Sequence, residues 1–272
     1  MADMSLRIEM RNQYLTIRGK RDGLGAQLLA QLSGLAYCEY HSLTYVHSPF
    51  EKVAHGLTAA TVSAAEAFFG IGVGEPNIGD SSVASLNIEE RLFMPEVLFS
   101  SKPETFYTDS FRQRLRTKYY QKPKPDVGFS ANRINVCMHI RRGDVNSRRR
   151  FKGRYTSDEQ HLAVLSKIKA LNPDAMIHIF SEGHQSDFVK FASLSNIRLC
   201  LNWDVLTTFH AMVCGDILIP AKSSYSYCAG LLSENTVVCD CMTNFLTFAG
   251  QRQCLPLGSW PSANHLEDSR CL

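Results

Sequence analysis

The chain has 272 residues, of which 44% are hydrophobic and 20% are charged, and its formal net charge is +3. This composition excludes a disordered chain, and so small a charge argues against a nucleic-acid-binding protein. No stretch reaches the roughly 20 apolar residues that a membrane-spanning helix needs. Residues 1–20 also lack the apolar core of a signal peptide. We therefore predict a cytoplasmic protein, or the excised soluble catalytic domain of a larger one.

The cysteines do not form a disulfide framework. There are nine of them, an odd number, without any CxxC pair. Several fall within apolar runs, which favours buried reduced thiols. Cys239 and Cys241 with the later Cys254 and Cys271 could be read as metal ligands, but no second close pair supports that reading. We therefore predict no metal site.

The first half of the chain begins with a predicted βαβ unit. A strand over residues 14–18 leads through a glycine-rich turn to a helix over 27–41, whose apolar residues recur at helical spacing, and a second strand covers 44–47. Further helices are predicted at 59–69 and 109–120, with an irregular segment at 70–85. Two prolines and several polar residues at 122–132 then predict a domain boundary, which divides the chain into domains 1–125 and 126–272.

The second half alternates between strands and helices. Strands are predicted at 136–140, 176–181, 197–201, 216–220 and 236–239, and helices at 185–193, 206–215, 225–232 and from a capping box at 156–160 to about residue 170. Strand, helix and strand in repetition predict a parallel sheet with right-handed crossovers.

Three polar loops follow strands of this predicted sheet, at residues 139–144, 180–187 and 221–226. The carboxyl ends of parallel strands share one edge, so these loops are expected to converge. Arg141 and Arg142 are planar, permanently charged forks that suit the oxygens of a diphosphate. Gly143 permits a tight turn, and Asp144 is expected to brace one guanidinium. The alternative is a strand end followed by a solvated basic turn.

The other two loops have matching uses for a nucleotide. Glu182 can accept two hydrogen bonds from a base edge such as the N1–H and N2 amine of guanine, although it also fits a solvated turn. Ser223 and Ser224 precede a helix whose N-terminal amides attract phosphate, or they serve only as a helix cap. Gly23 and Gly25, before the first helix, suit either a nucleotide cradle or a tight turn alone.

Four motifs together carry a resemblance to a known family. They are GLGAQ at 23–27, HIRRGDV at 139–145, FSEG at 180–183 and KSSYSYCAGLLS at 222–233. The chain resembles the superfamily of α1,2-, α1,6- and protein O-fucosyltransferases, with a motif order most similar to that of the α1,2 group. The resemblance implies a GT-B-like α/β fold, in which two Rossmann-like domains with parallel sheets face each other across a cleft. Residues 1–125 would form the acceptor side and 126–272 would bind the nucleotide sugar.

The resemblance also implies roles for individual residues. Arg141 would hold the diphosphate and act in catalysis with Arg142 beside it, and His139 would support the loop or reach the nucleotide. Glu182 would face the base. The remaining contacts to the phosphates would come from Ser223, Ser224 and Tyr225. Such enzymes need no metal and no cofactor beyond the nucleotide-sugar donor, and they invert the anomeric centre.

The sequence departs from the family pattern where a catalytic base is expected. Ala26 stands where the family usually has Asn, and Gly183 stands in place of a second acid. The α1,6 relatives have a proposed glutamate base shortly after the arginine motif, but residues 146–150 (NSRRR) contain no carboxylate. We therefore predict Asp22 as the general base, with Asp144 as the second choice. Asp22 also fits a simple Asp-Gly turn.

The predicted function is that of an inverting, metal-independent glycosyltransferase acting on a hydroxyl of a glycan acceptor. GDP-fucose is the default donor, and a UDP-sugar such as UDP-xylose stays open. The alternatives are a catalytically inactive nucleotide- or glycan-binding module, an adhesion protein that displays Arg142, Gly143 and Asp144, and polyanion binding through residues 148–154. No nucleic-acid partner and no membrane span are expected, and the sequence leaves the oligomeric state open.

Overall fold

The computed structural model describes residues 13–54, 58–145 and 152–238. Its strands are β1 (Tyr14–Ile17), β2 (Thr44–Tyr45), β3 (Ile88–Arg91), β4 (Asn135–His139), β5 (Met176–Ser181), β6 (Ile197–Leu201), β7 (Ile217–Ile219) and β8 (Thr236–Val237). Its α-helices are α1 (Leu24–Tyr40), α2 (Ala59–Phe69), α3 (Pro95–Leu98), α4 (Asp109–Tyr119), α5 (Asp158–Leu171), α6 (Val189–Ala192), α7 (Val205–Cys214) and α8 (Ser224–Leu232). Short 3-10 helices lie at Pro103–Thr105, Lys152–Arg154 and Gln185–Phe188.

The first half contains a three-stranded parallel sheet in the order β2-β1-β3. The predicted βαβ unit is confirmed, but α1 begins at Leu24, three residues earlier than predicted, because Gly23 already serves as its N-cap residue. Strand β3 was not predicted. Its residues, IEER, contain a single apolar side chain and no alternation, so nothing in the pattern indicates a strand.

The second half contains a five-stranded parallel sheet in the order β6-β5-β4-β7-β8. Each strand predicted for the second half is present: β5 and β6 have the predicted bounds, and β4, β7 and β8 differ from the prediction by one or two residues. The chain winds outward from β4 to β6 and then returns to the other side of β4 with β7. This reversal between β4 and β7 is the point at which doubly wound sheets bind their ligands.

Two helices of the second half show how local sequence sets their ends. The predicted capping box of α5 is confirmed, because the Gln160 amide donates to the Ser157 hydroxyl and the Gln160 side chain accepts from the Ser157 amide. The single helix predicted at 185–193 is wrong. A 3-10 turn over Gln185–Phe188 comes first and α6 follows, and the Asp187 carboxylate holds the start of the turn by accepting from the His184 amide at 2.8 Å.

The two sheets share one apolar core. A single cluster of buried side chains contains Leu15 and Leu28 of the first half together with Leu218 and Leu231 of the second. Helices α1 and α8 form the main contact between the halves. The prediction of an α/β chain with two parallel sheets is confirmed, while the boundary at 125/126 stays a prediction. In the described ranges, no helix has both the length and the apolar character needed to cross a membrane.

Candidate active site

The arginine motif lies at the reversal point of the five-stranded sheet. Arg141 follows β4, and its Nε and Nη2 atoms donate to the two carboxylate oxygens of Asp144 at 3.2 and 2.7 Å. The third contact runs from Nη1 to the Ser223 hydroxyl, 3.2 Å away in the loop after β7. The predicted brace by Asp144 is therefore present. The guanidinium is fixed at the N-terminus of α8 while its side chain keeps 19% of its surface exposed.

His139, the last residue of β4, packs beside the same helix terminus. Its ring meets that of Tyr225 edge-on, with 5.9 Å between centroids. Burial, Arg141 and His161 lower the pKa of His139 to about 3. Its Nδ1 is buried without a hydrogen-bond partner in the part of the chain that the structure describes. His139 is therefore neutral at physiological pH, and it supports the site by packing against Tyr225.

Arg142 is placed differently from Arg141. Its Nη2 donates to Asp158 at 2.6 Å, and its Nη1 donates to the carbonyl oxygens of Arg141 and Thr156. The guanidinium also lies over the Tyr155 ring, 4.7 Å from its centroid. The segment that leads into α5 thus engages this second fork on several sides. In this structure Arg142 anchors the loop that presents Arg141.

The FSEG loop meets the arginine loop at Gly143. Gly143 has a φ of +71°, and a Cβ built there would lie 1.9 Å from Oε2 of Glu182. The two loops are also joined at their strands, because the Ile140 amide donates to the Phe180 carbonyl and the Ser181 hydroxyl donates to the Ile140 carbonyl. The predicted convergence of Glu182 with the arginine motif is therefore observed. Only a glycine at 143 lets the Glu182 carboxylate take this place.

The third loop supplies the N-terminus of α8. Ser223 is the N-cap residue, and its hydroxyl accepts from the Tyr225 amide at 3.4 Å. Ser224 is the first residue of the helix, and the side chain of Tyr225 is turned inward, where its hydroxyl donates to the Val205 carbonyl. The hydroxyl and the amide of Tyr225 are thus both engaged within the chain, so the predicted contact of Tyr225 with the phosphates has no donor left in this structure.

The glycine loop of the first half packs onto the same place. A Cβ at Gly25 would lie 2.5 Å from the backbone N and Cα of Tyr225. Because the first turns of α1 and α8 touch, two helix N-termini with their positive dipole ends lie close together beside Arg141. Gly23, the N-cap residue of α1, accepts from the Ala26 and Gln27 amides through its carbonyl. The glycines thus serve close packing of backbone, and with it a concentration of amide dipoles.

Asp22 lies immediately before this helix end. Its carboxylate forms an ion pair with Lys20 at 2.8 Å, and its side chain is 47% exposed. Its backbone carbonyl accepts from the Gln27 side chain and from the Ala54 amide, so the turn itself is well fixed. The fixed backbone of Asp22 therefore holds the carboxylate in position, and the carboxylate remains accessible to solvent.

Arg154, which was not predicted as a site residue, lies near this group. Burial and Arg141 lower the pKa of Arg154, whereas Asp144 and Asp22 act in the opposite direction. Arg154 therefore lies within electrostatic reach of Arg141 and Asp144 in the arginine loop and of Asp22 in the first half. Its position in a run of basic residues was visible, but no spacing in the sequence distinguished it from its neighbours.

The described residues contain no group of three or more His, Cys, Asp or Glu side chains arranged to hold a metal ion. Five cysteines fall in these ranges, all of them free thiols, and four are buried: Cys38, Cys137, Cys200 and Cys228. The four cysteines of the alternative metal reading, 239, 241, 254 and 271, lie outside the described residues, as does the NSRRR segment at 146–150.

Searches with family models and among curated proteins returned no match. Among solved structures, the chain is similar to the fucosyltransferase NodZ from Bradyrhizobium, with 14% identity, a TM-score of 0.42 and coverage of 82% of this chain and 94% of that chain. POFUT1 in complex with GDP-fucose matches with 10% identity, a TM-score of 0.45 and coverage of 84% and 97%.

The E. coli heptosyltransferase WaaC with ADP matches with 8% identity, a TM-score of 0.42 and coverage of 94% and 98%. TM-scores of 0.42 to 0.45 at these identities indicate a distant likeness in chain trace. What this chain does must therefore be argued from its own residues.

Proposed function

We propose that this chain is a glycosyltransferase that moves a sugar from a nucleoside diphosphate sugar to a hydroxyl of a glycan. The observation that carries the proposal is the position of Arg141, whose fork is fixed by Asp144 and Ser223 at the reversal point of a parallel sheet. An oriented guanidinium beside two helix N-termini forms a site for an anion that carries more than one charge.

The same geometry suits a departing diphosphate. In the proposed reaction the acceptor oxygen attacks the anomeric carbon while the bond between that carbon and the diphosphate oxygen breaks, and its electron pair leaves with the diphosphate. Arg141 and the amides of α1 and α8 stabilise the charge that develops there, which is the task that a divalent cation performs in other enzymes. A single displacement of this kind inverts the anomeric centre, and we propose that it needs no metal.

Asp22 is the proposed general base. Its carboxylate is accessible, its turn is held by Gln27 and Ala54, and its charge acts on Arg154, as does that of Arg141. In the proposed step it takes the proton of the acceptor hydroxyl as the new glycosidic bond forms. The ion pair with Lys20 orients the carboxylate before the acceptor arrives.

GDP-fucose is the proposed donor. Glu182 presents a carboxylate beside Gly143, next to the arginine loop, where it can accept from both donors on the guanine edge. A UDP-sugar such as UDP-xylose is the second candidate. Thermal unfolding with GDP, UDP and their sugars decides between them, since a ligand at about 100 times its dissociation constant adds ~2.7 kcal/mol to the free energy of unfolding.

Catalysis is then tested with the nucleotide sugar that stabilises the chain, by measuring the release of its nucleotide. We expect Asp22→Asn to bind the donor like the wild type and to lose transfer, and Arg141→Ala to lose donor binding as well. Full activity of Asp22→Asn would move the base to another residue. Binding without any release or transfer by the wild type would support the second function, a nucleotide- or glycan-binding module, which the lack of a carboxylate in residues 146–150 favours.

A further inference from the structure

A cavity of about 570 Å³ lies beside the segment that follows β2, between this segment, α2 and the turn after α2. We call it the α2 cavity. Its size falls within the range of roughly 300–1,000 Å³ that is typical of small-molecule sites. The loops at 139–144, 180–187 and 221–226 do not line it, so it is separate from the proposed nucleotide site. Its lining combines the exposed apolar side chains of Pro49 and Val73 with polar groups of Glu66 and Asn77.

Glu66 is held in a fixed orientation on one wall of this cavity. Its Oε1 lies 2.5 Å from Nε2 of His47, and its Oε2 accepts from the Phe50 amide at 3.0 Å. The His47 ring is itself immobilised, because a Cβ at Gly72 would lie 2.3 Å from its Cδ2 atom. A carboxylate offers about four lone pairs, so Glu66 keeps acceptor capacity for a ligand. Its side chain is 25% exposed.

The charges of the lining select the class of ligand. The charged residues that line the α2 cavity are Glu51 and Glu66, which are acidic, and Lys122, which is basic. Glu51 is paired with Arg18 at 3.7 Å, which leaves Glu66 and Lys122 with opposite charges, so the lining favours neither an anion nor a cation. Oriented acceptors beside apolar side chains suit a neutral molecule with many hydroxyl groups, because each hydroxyl can donate to a carboxylate or amide oxygen while the carbon skeleton packs on the apolar walls.

The α2 cavity is connected to Asp22 through the backbone. The segment that carries Pro49 and Phe50 continues to Ala54, whose amide donates to the Asp22 carbonyl at 3.0 Å. The Gln27 side chain donates to the carbonyls of both Asp22 and Lys52, at 2.7 and 2.8 Å. Both sites also lie at the carboxyl ends of adjacent parallel strands, Asp22 after β1 and the cavity after β2.

We infer that the α2 cavity holds a neutral sugar unit of the acceptor, next to the unit whose hydroxyl faces Asp22. This inference rests on the proposed function for the role of the ligand as acceptor. It names the acceptor class as a neutral oligosaccharide of at least two units, and it makes the lining of the α2 cavity a determinant of acceptor choice.

The test uses neutral di-, tri- and tetrasaccharides built from N-acetylglucosamine, glucose, galactose or xylose, with binding to the full chain measured by saturation-transfer NMR. Ser63, an exposed residue of α2, lines the cavity, whereas its exposed neighbour Ala64 does not. Ser63→Trp fills the cavity, and Ala64→Trp is the matched control. We expect at least one oligosaccharide to bind the wild type and Ala64→Trp equally, and to bind Ser63→Trp about tenfold more weakly or not at all.

Glu66→Gln is the second variant, and it is expected to weaken the same oligosaccharide by about tenfold through loss of a charged acceptor. The thermal unfolding transition of each variant reports that it is folded, and GDP binding should be unchanged in every variant. If the wild type binds GDP but none of the oligosaccharides, or if Ser63→Trp binds them like the wild type, the inference is wrong and the proposed function stands. If the oligosaccharide behaves as expected but no nucleotide binds, the proposed function fails and the sugar site stands.

Discussion

Arg141 and Ser223 are joined across the reversal point of the five-stranded sheet. The Ser223 hydroxyl accepts from Nη1 of Arg141 at 3.2 Å and from the Tyr225 amide at 3.4 Å. One side chain thus caps α8 and fixes the guanidinium that lies at its N-terminus. The position of the arginine and the direction of the helix dipole are therefore set by the same contact, which prepares the site before any diphosphate arrives.

Replacing the planar guanidinium of Arg141 with the ammonium group of lysine tests this arrangement. Arg141→Lys keeps the positive charge but loses the two-pronged contact with Asp144, so we expect the dissociation constant of GDP to rise roughly 10- to 100-fold. Isothermal titration calorimetry measures it. Arg133→Lys is the control, since Arg133 is exposed and contacts Asn196 on the surface. Equal GDP affinity in Arg141→Lys and the wild type would remove Arg141 from the diphosphate site.

The contact between α1 and α8 makes a prediction about stability. In Gly25→Ala the added methyl group would meet the backbone of Tyr225 at 2.5 Å, and backbone atoms cannot turn away as a flexible side chain can. We expect the free energy of unfolding to fall by about 2 kcal/mol or more. Urea unfolding measures it. Gly153→Ala, whose Cβ has no atom within 4 Å, is the matched control and should stay within about 0.5 kcal/mol of the wild type.

Sequence reasoning predicted the elements of this fold better than their contacts. Alternation and helical spacing indicated the strands and helices of the second half, because each buries an apolar face with a regular period. Strand β3 was not predicted because IEER contains a single apolar side chain, and its position depends on pairing with β1. The different roles of Arg141 and Arg142 could not be predicted either. Two adjacent arginines look alike in the sequence, and only their partners in the fold, Asp144 and Asp158, distinguish them.

The proximity of Glu182 to Gly143 leads to a prediction about base preference. A glutamine at 182 can accept one of the two hydrogen bonds from guanine but meets the second donor with its own NH₂ group. We expect Glu182→Gln to weaken GDP about tenfold and to leave UDP unchanged. Gly143→Ala should also weaken GDP, because its methyl group would displace the Glu182 carboxylate.

Competition binding with both nucleotides measures the ratio of their dissociation constants. Glu159→Gln serves as the control, because Glu159 is exposed and pairs with Lys190 on the surface. A parallel loss of GDP and UDP affinity in Glu182→Gln would show that Glu182 supports the loop and does not read the base.

Buried histidines predict how stability depends on pH. The pKa of His161, which is 5% exposed, is lowered to about 3 by burial, Arg142 and Lys222. The pKa of three other histidines is lowered as well, that of His139 to about 3 and those of His178 and His210 to about 4. In the unfolded chain a histidine titrates near 6.5, so below that pH the unfolded state binds more protons than the folded state.

Stability should therefore fall as the pH drops from about 6.5 towards 3, and for His161 alone the loss between pH 7 and pH 5 is about 2 kcal/mol. Urea unfolding at pH 7, 6 and 5 measures the slope. In His161→Gln the loss of stability between pH 7 and pH 5 should be about 2 kcal/mol smaller than in the wild type, because the variant has no buried imidazole to protonate on unfolding. His41→Gln is the control, because it removes a histidine at an exposed position and leaves the buried histidines in place. Its stability should change with pH as that of the wild type does. If His161→Gln and the wild type lose equal stability on acidification, His161 does not contribute to the acid sensitivity of the fold.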